Sequence, residues 1–164
     1  MGMGRIYRVP YTGTITAAGG DTDLLSIQPA ANKPCRLVGW IIGQSSEFGD
    51  AQEEDVRITV RHMTATVSIG SGGSAVTPVP LRPGTDLAAA FTARCNDTTV
   101  STTSGTSTIC EELAWNERNT PWERWVPEEM RLKAAQNEVL IVRMESTLAD
   151  DMTGELTFFV EEEG

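Results

Sequence analysis

The feature that most limits what this chain can fold into is the two-residue spacing of its apolar side chains. Val56, Ile58 and Val60 alternate with Arg57, Thr59 and Arg61, and later Leu156, Phe158 and Val160 alternate with Thr157, Phe159 and Glu161. On an extended backbone successive side chains point to opposite faces, so each run predicts a strand with one buried face. No apolar stripe at helical spacing is sustained along the 164 residues.

Other runs fit the same picture. Arg5 to Thr16 is rich in Ile, Tyr, Val and Thr and ends at a Gly-Gly-Asp turn signal, and Asp23 to Gln28 stops at Pro29. Cys35 to Gln44 and Val139 to Met144 are nearly continuous apolar runs, as expected of central strands. Ile109 to Trp115 reads as a strand, and Ala88 to Cys95 reads as a short helix or a strand. Gly70 to Ser74 reads as a flexible tip, and the prolines of Thr77 to Gly84 predict extended backbone outside any ladder. Asn96 to Thr108, almost all Thr, Ser, Asn, Asp and Gly, reads as a long hairpin tip. Eight or nine strands with turns between them predict an all-β, single-domain β-sandwich over residues 1–164, jelly-roll-like, with long Pro/Gly-rich and Thr/Ser-rich loops. An immunoglobulin-like sandwich is the second choice, because the cysteines do not bracket a tryptophan at the inter-sheet spacing.

The formal net charge is −10, and no basic stripe offsets it. Such a chain repels phosphates and anionic membrane surfaces at long range, so neither nucleic acid nor membrane is an expected partner. No apolar run approaches the length of a membrane span, and Met1 to Ile6 lacks the apolar core of a signal peptide, which predicts synthesis in a host cytoplasm. The odd count of Cys35, Cys95 and Cys110 argues against a secreted disulfide framework. A hairpin at Asn96 to Thr108 could nevertheless set Cys95 opposite Cys110 within disulfide reach, although cytosolic synthesis favours free thiols.

Candidate chemistry is sparse. The single histidine, His62, has no G-x-S-x-G elbow to serve and reads as an ordinary strand-end residue. It forms no zinc module with the cysteines, whose spacing contains no CxxC pair. The acidic segment Asp50 to Asp55 lacks the EF-hand pattern and reads as a partner for arginines, with calcium as the alternative. Its adjacent Glu53 and Glu54 point to opposite faces of an extended chain and could not flank one glycosidic bond. No catalytic residue, metal or cofactor is expected. The richer signal is Trp115, Trp122 and Trp125 close to Arg124, because tryptophan and arginine together are typical of interface anchors.

Gly49-Asp50-Ala51-Gln52-Glu53-Glu54, Arg57-Ile58, Arg61, Gly70-Ser71-Gly72-Gly73-Ser74, Thr77-Pro78-Val79-Pro80-Leu81 and Asn96-Asp97-Thr98-Thr99 together form a pattern. With the Trp-Pro segment and the last strand, it resembles short virion accessory proteins of tailed phages and prophages, including head-decoration proteins. The resemblance implies a non-enzymatic virion protein with a major capsid or other virion protein as partner, and it carries over no functional residue. The expected role is a homo-oligomer, trimer or pentamer, that decorates a shell. Its interface is expected at Pro78, Pro80, Leu81, Trp115, Trp122, Arg124 and Trp125. The alternative is a carbohydrate-binding or host-recognition module using the Trp115 to Trp125 segment.

Overall fold

A computed structural model describes residues 4–17, 20–47 and 54–164. In chain order its strands are β1 (Arg5–Ile15), β2 (Thr22–Gln28), β3 (Cys35–Gln44), β4 (Asp55–Met63), β5 (Val67–Ser68), β6 (Ser74–Val76) and β7 (Val79–Pro80). They continue with β8 (Thr92–Cys95), β9 (Thr102–Thr103), β10 (Ser107–Asn116), β11 (Trp122–Trp125), β12 (Lys133–Ala134), β13 (Val139–Met144) and β14 (Met152–Glu162). No α-helix occurs among the described residues, and none of their helices is long and apolar enough to cross a membrane.

Two antiparallel six-stranded sheets make a β-sandwich. The first runs β11-β3-β14-β1-β7, with β12 also on β3, and the second runs β10-β4-β13-β2-β8-β6. The chain doubles back on itself. β1 pairs with β14, β2 with β13, β3 with β11 and β4 with β10, and this doubled ribbon is wound so that most consecutive long strands alternate between sheets.

The alternation read from the sequence sets the inward faces. Val56, Ile58 and Val60 of the second sheet and Leu156, Phe158 and Val160 of the first are buried in one apolar cluster with Tyr7, Val9, Trp40 and Ile42. Burying side chains of this size contributes roughly 1.5–3 kcal/mol each. At Gly39 the backbones of β3 and β11 approach closely. A Cβ there would overlap the Arg124 carbonyl oxygen and press on the Trp125 ring, so only glycine lets β11 lie down on β3.

The segment between β4 and β10 departs most from the sequence reading. Val79 and Pro80 do join a ladder, against Arg8 and Tyr7 at the edge of β1, where a proline's missing N–H costs nothing on the outer side. Ala88 to Cys95 resolves into a strand only from Thr92, and that strand extends the second sheet beyond β2. Asn96 to Thr108 is not a free tip. Asp97 and Ser101 are fully or almost fully buried, and the segment folds back across the outer face of the second sheet.

Its polar residues hold it there. Arg143 Nε donates to Asp23 Oδ1 at 2.6 Å, and its Nη2 donates to the Ser101 carbonyl at 2.8 Å. The Ser101 N–H donates to Asp23 Oδ2 at 2.6 Å. Asp23 and Asp97 exchange two backbone hydrogen bonds of 3.0 Å each, and Arg94 grips the Asp97 carboxylate with two nitrogens at 2.9 and 2.7 Å. Composition suggested solvent, but these side chains are hydrogen-bonded to buried partners, which is how polar groups are kept in an interior.

The segment also separates the two cysteines. Cys95 lies on β8 and Cys110 on β10, four strands apart in the second sheet, or roughly 19 Å at strand spacing. That rules out the hairpin pairing, and Cys35, Cys95 and Cys110 are all free thiols.

Candidate functional site

The insertion between β4 and β10 makes the sandwich asymmetric. On one side β7 edges the first sheet while β8 and β6 edge the second, and these strands belong to one continuous segment that spans the gap between the sheets. On the other side β11 and β10 face each other with no strand between them.

A cleft of about 590 Å³ opens there. Its floor is Trp40, Val60 and Leu37, and its walls are Leu113 of β10 and Trp122 of β11. The Trp122 ring meets Trp40 edge to face at 5.2 Å, and the Arg124 guanidinium lies 5.9 Å from the Trp40 ring centre. Arg124 reaches across the mouth to Glu111 of β10, Nε to Oε2 at 2.8 Å, so one ion pair spans the two sheet edges.

β10 is the most exposed long strand. Seven of its ten residues are exposed, only Trp115 is buried, and one edge of its backbone has no strand beside it. A bulge between Ile109 and Glu111 interrupts its register. Among the described residues, four of the six exposed large hydrophobic side chains border this open side: Ile109, Leu113, Trp125 and Met130. Leu81 and Leu87 are on the opposite side.

The residues expected to form one interface therefore divide. Trp115 is buried, its indole N–H donating to the Thr120 carbonyl at 3.3 Å, and it closes one end of the core. Trp122 and Arg124 point into the cleft. Trp125 turns to the outer face of the first sheet, 52 % exposed, with its ring 4.6 Å from that of Phe159. Pro78, Pro80 and Leu81 sit at the far edge of the first sheet, on or beside β7. The sequence reading did not find Ile109 and Leu113, because a strand's own residues do not tell an exposed edge from a covered one, nor Met130, which lies in the short turn after β11.

The remaining candidates are accounted for locally. His62 Nε2 lies 3.1 Å from Glu138 Oε2. The Glu138 carboxyl is held below its ordinary range mainly by the Ala135 N–H, against the effect of burial and with help from His62. The Asp50 to Glu53 part of the acidic segment lies outside the described residues. Glu54 and Asp55, the described part of it, are held by neighbouring backbone and amide groups. Glu54 accepts from the Ala149 N–H and donates its own N–H to Glu117, while Asp55 accepts from the Asn116 amide. Among the described residues no group of three or more His, Cys, Asp or Glu could hold a metal ion. No family model, curated protein or solved structure matches the chain.

Proposed function

We propose that this protein is a non-enzymatic structural component of a tailed-phage-type virion, acting by self-assembly and by attachment to a larger shell. The observation that carries the reading is the open side of the sandwich. A ten-residue edge strand, a cleft floored by Trp40 and the exposed side chains of Leu113 and Met130 lie together there, while the opposite side is closed by the chain's own insertion. Apolar residues clustered at one edge mark an interaction surface. The winding supports a jelly-roll reading, because a ribbon doubled at the β4–β10 connection and rolled into two four-strand layers gives this strand order. Closed packing of such sandwiches into a trimer or pentamer serves a shell component.

The carbohydrate-binding alternative has weaker support. Its three tryptophans face the core, the cleft and the outer sheet surface, so they make no shared stacking platform. Light scattering on the purified protein tests the main reading. A mass of several copies at tens of micromolar supports it, and a monodisperse monomer removes the self-assembly part. Co-sedimentation with tailed-phage heads then reads attachment to a preformed shell, and specific hits on a glycan array would favour the alternative.

A further inference from the structure

The two groups of candidate interface residues lie on opposite edges of the first sheet, four strand positions apart. The two edges carry opposite charge. Arg8 of β1 is exposed and in no ion pair among the described residues, and Arg82, just after β7, has a side chain 78 % exposed and only a loose 3.6 Å contact to Asp86. Leu81 and Leu87 stand beside them, exposed. Across the molecule, Arg124 neutralises Glu111 and Arg57 neutralises Glu112. That leaves Glu123 on β11 and Glu128 and Glu129 in the following turn, all exposed and in no ion pair among the described residues. Of the exposed apolar residues on that side, Leu113 and Met130 line the cleft.

We propose that copies of this chain associate head to tail, with the Arg8, Leu81 and Arg82 edge of one copy docking on the open Leu113, Met130 and Glu128–Glu129 edge of the next. A twofold contact would put the three unpaired carboxylates against their own copies, or the two arginines against theirs, and like charges set opposite one another are destabilising. A heterologous contact matches acid to base and apolar to apolar at once. Because each copy keeps one free edge of each kind, the contact repeats, giving a ring of three or more copies when the rotation closes and a filament when it does not. The occupant of the cleft mouth is then the Pro-rich β7 edge of a neighbour. Proline suits that position because it blocks uncontrolled strand addition while leaving its carbonyl as an acceptor.

The inference rests on the self-assembly part of the proposed function. Its test uses two variants of the full chain, R8E/R82E and E128R/E129R, each confined to exposed side chains. The wild type is expected to show the mass of three or more copies by light scattering. Each variant alone should associate roughly tenfold more weakly or worse, with the same far-ultraviolet spectrum. Combined in one chain, the four substitutions should recover the wild-type mass, since each reversed edge then meets its complement whatever the number of copies in the ring. A wild-type monomer overturns both this inference and the self-assembly reading. A wild-type dimer, or a larger oligomer whose mass neither variant changes, overturns the head-to-tail contact alone, as does failure of the fourfold variant to reassociate.

Discussion

Trp122 and Trp125 are separated by two residues on one strand, yet they answer to different forces. Trp122 faces inward, half-buried against the Trp40 ring, and its removal opens the cleft floor to water. Trp122→Ala should destabilise the fold by roughly 2–3 kcal/mol, read as a lower urea midpoint. Trp125 is exposed on the outer face, so Trp125→Ala should leave that midpoint within about 0.5 kcal/mol of wild type. If the two variants are equally destabilised, the assignment of faces on β11 is wrong. Their adjacency in sequence suggested a single aromatic patch, but on one strand their odd spacing sends them to opposite faces, and pairing of β11 with Gly39 to Ile42 decides which faces inward.

Glu117 offers a second test at the same scale. It is 4 % exposed, and burial raises its carboxyl above the ordinary range. The hydrogen bond from the Glu54 N–H opposes that rise, while the charges of Glu54 and Glu47 reinforce it. A raised acid binds more protons in the folded state, so stability falls as pH rises from the ordinary carboxyl range through the raised value. Glu117→Gln keeps an oxygen for the Glu54 N–H and carries no charge. The variant should melt higher than wild type at pH 7–8, and the gap should close below about pH 4. Glu145 runs the other way. Burial alone would raise it, but hydrogen bonds from Arg61 and Thr59 and the charges of Arg61 and Arg57 hold it low. Its contribution is present above the ordinary carboxyl range and is lost as pH falls through the lowered value.

The strands themselves were largely legible in the sequence. Cys35–Gln44 and Val139–Met144 have the bounds expected of them, and the paired periodicities of β4 and β14 set which faces meet. The insertion was not legible, because a run of Thr, Ser and Asn has the same composition whether water or a buried arginine satisfies it. The deciding partners, Asp23 and Arg143, are far away in sequence, at 10 % side-chain exposure or less. Removing one member of such a pair leaves the other buried and uncompensated. Arg143→Met should therefore cost about 3–5 kcal/mol in chemical denaturation. It should also free the amides of Asp97 and Ser101, whose hydrogen-exchange protection should fall before that of β13 and β14. If Asn96 to Thr108 were instead a solvated tip, those amides would exchange fast in the wild type as well.

At the scale of the whole molecule the cysteines report on both topology and assembly. Cys35 and Cys95 are fully buried, and burial pushes both thiols up to about 12, with nearby carboxylates adding to the effect, so neither presents a thiolate at neutral pH. Cys110 is exposed on the open side and lines the cleft mouth. In the R8E/R82E variant, diluted until light scattering reads a monomer, one thiol should react faster than the other two with an aromatic disulfide reagent at pH 8. All three should react after denaturation, with or without prior reduction. A loss of two thiols without reductant would mean that two of the three cysteines had joined, and peptide mapping would have to exclude Cys95–Cys110, which the strand order forbids at four strands' separation. In the assembled wild type the neighbour's β7 edge covers the cleft mouth, so the Cys110 rate should drop as protein concentration rises and recover on dilution. A Cys110 rate that is the same in wild type and variant at every concentration would place the assembly contact elsewhere on the sandwich, even if the protein proves oligomeric.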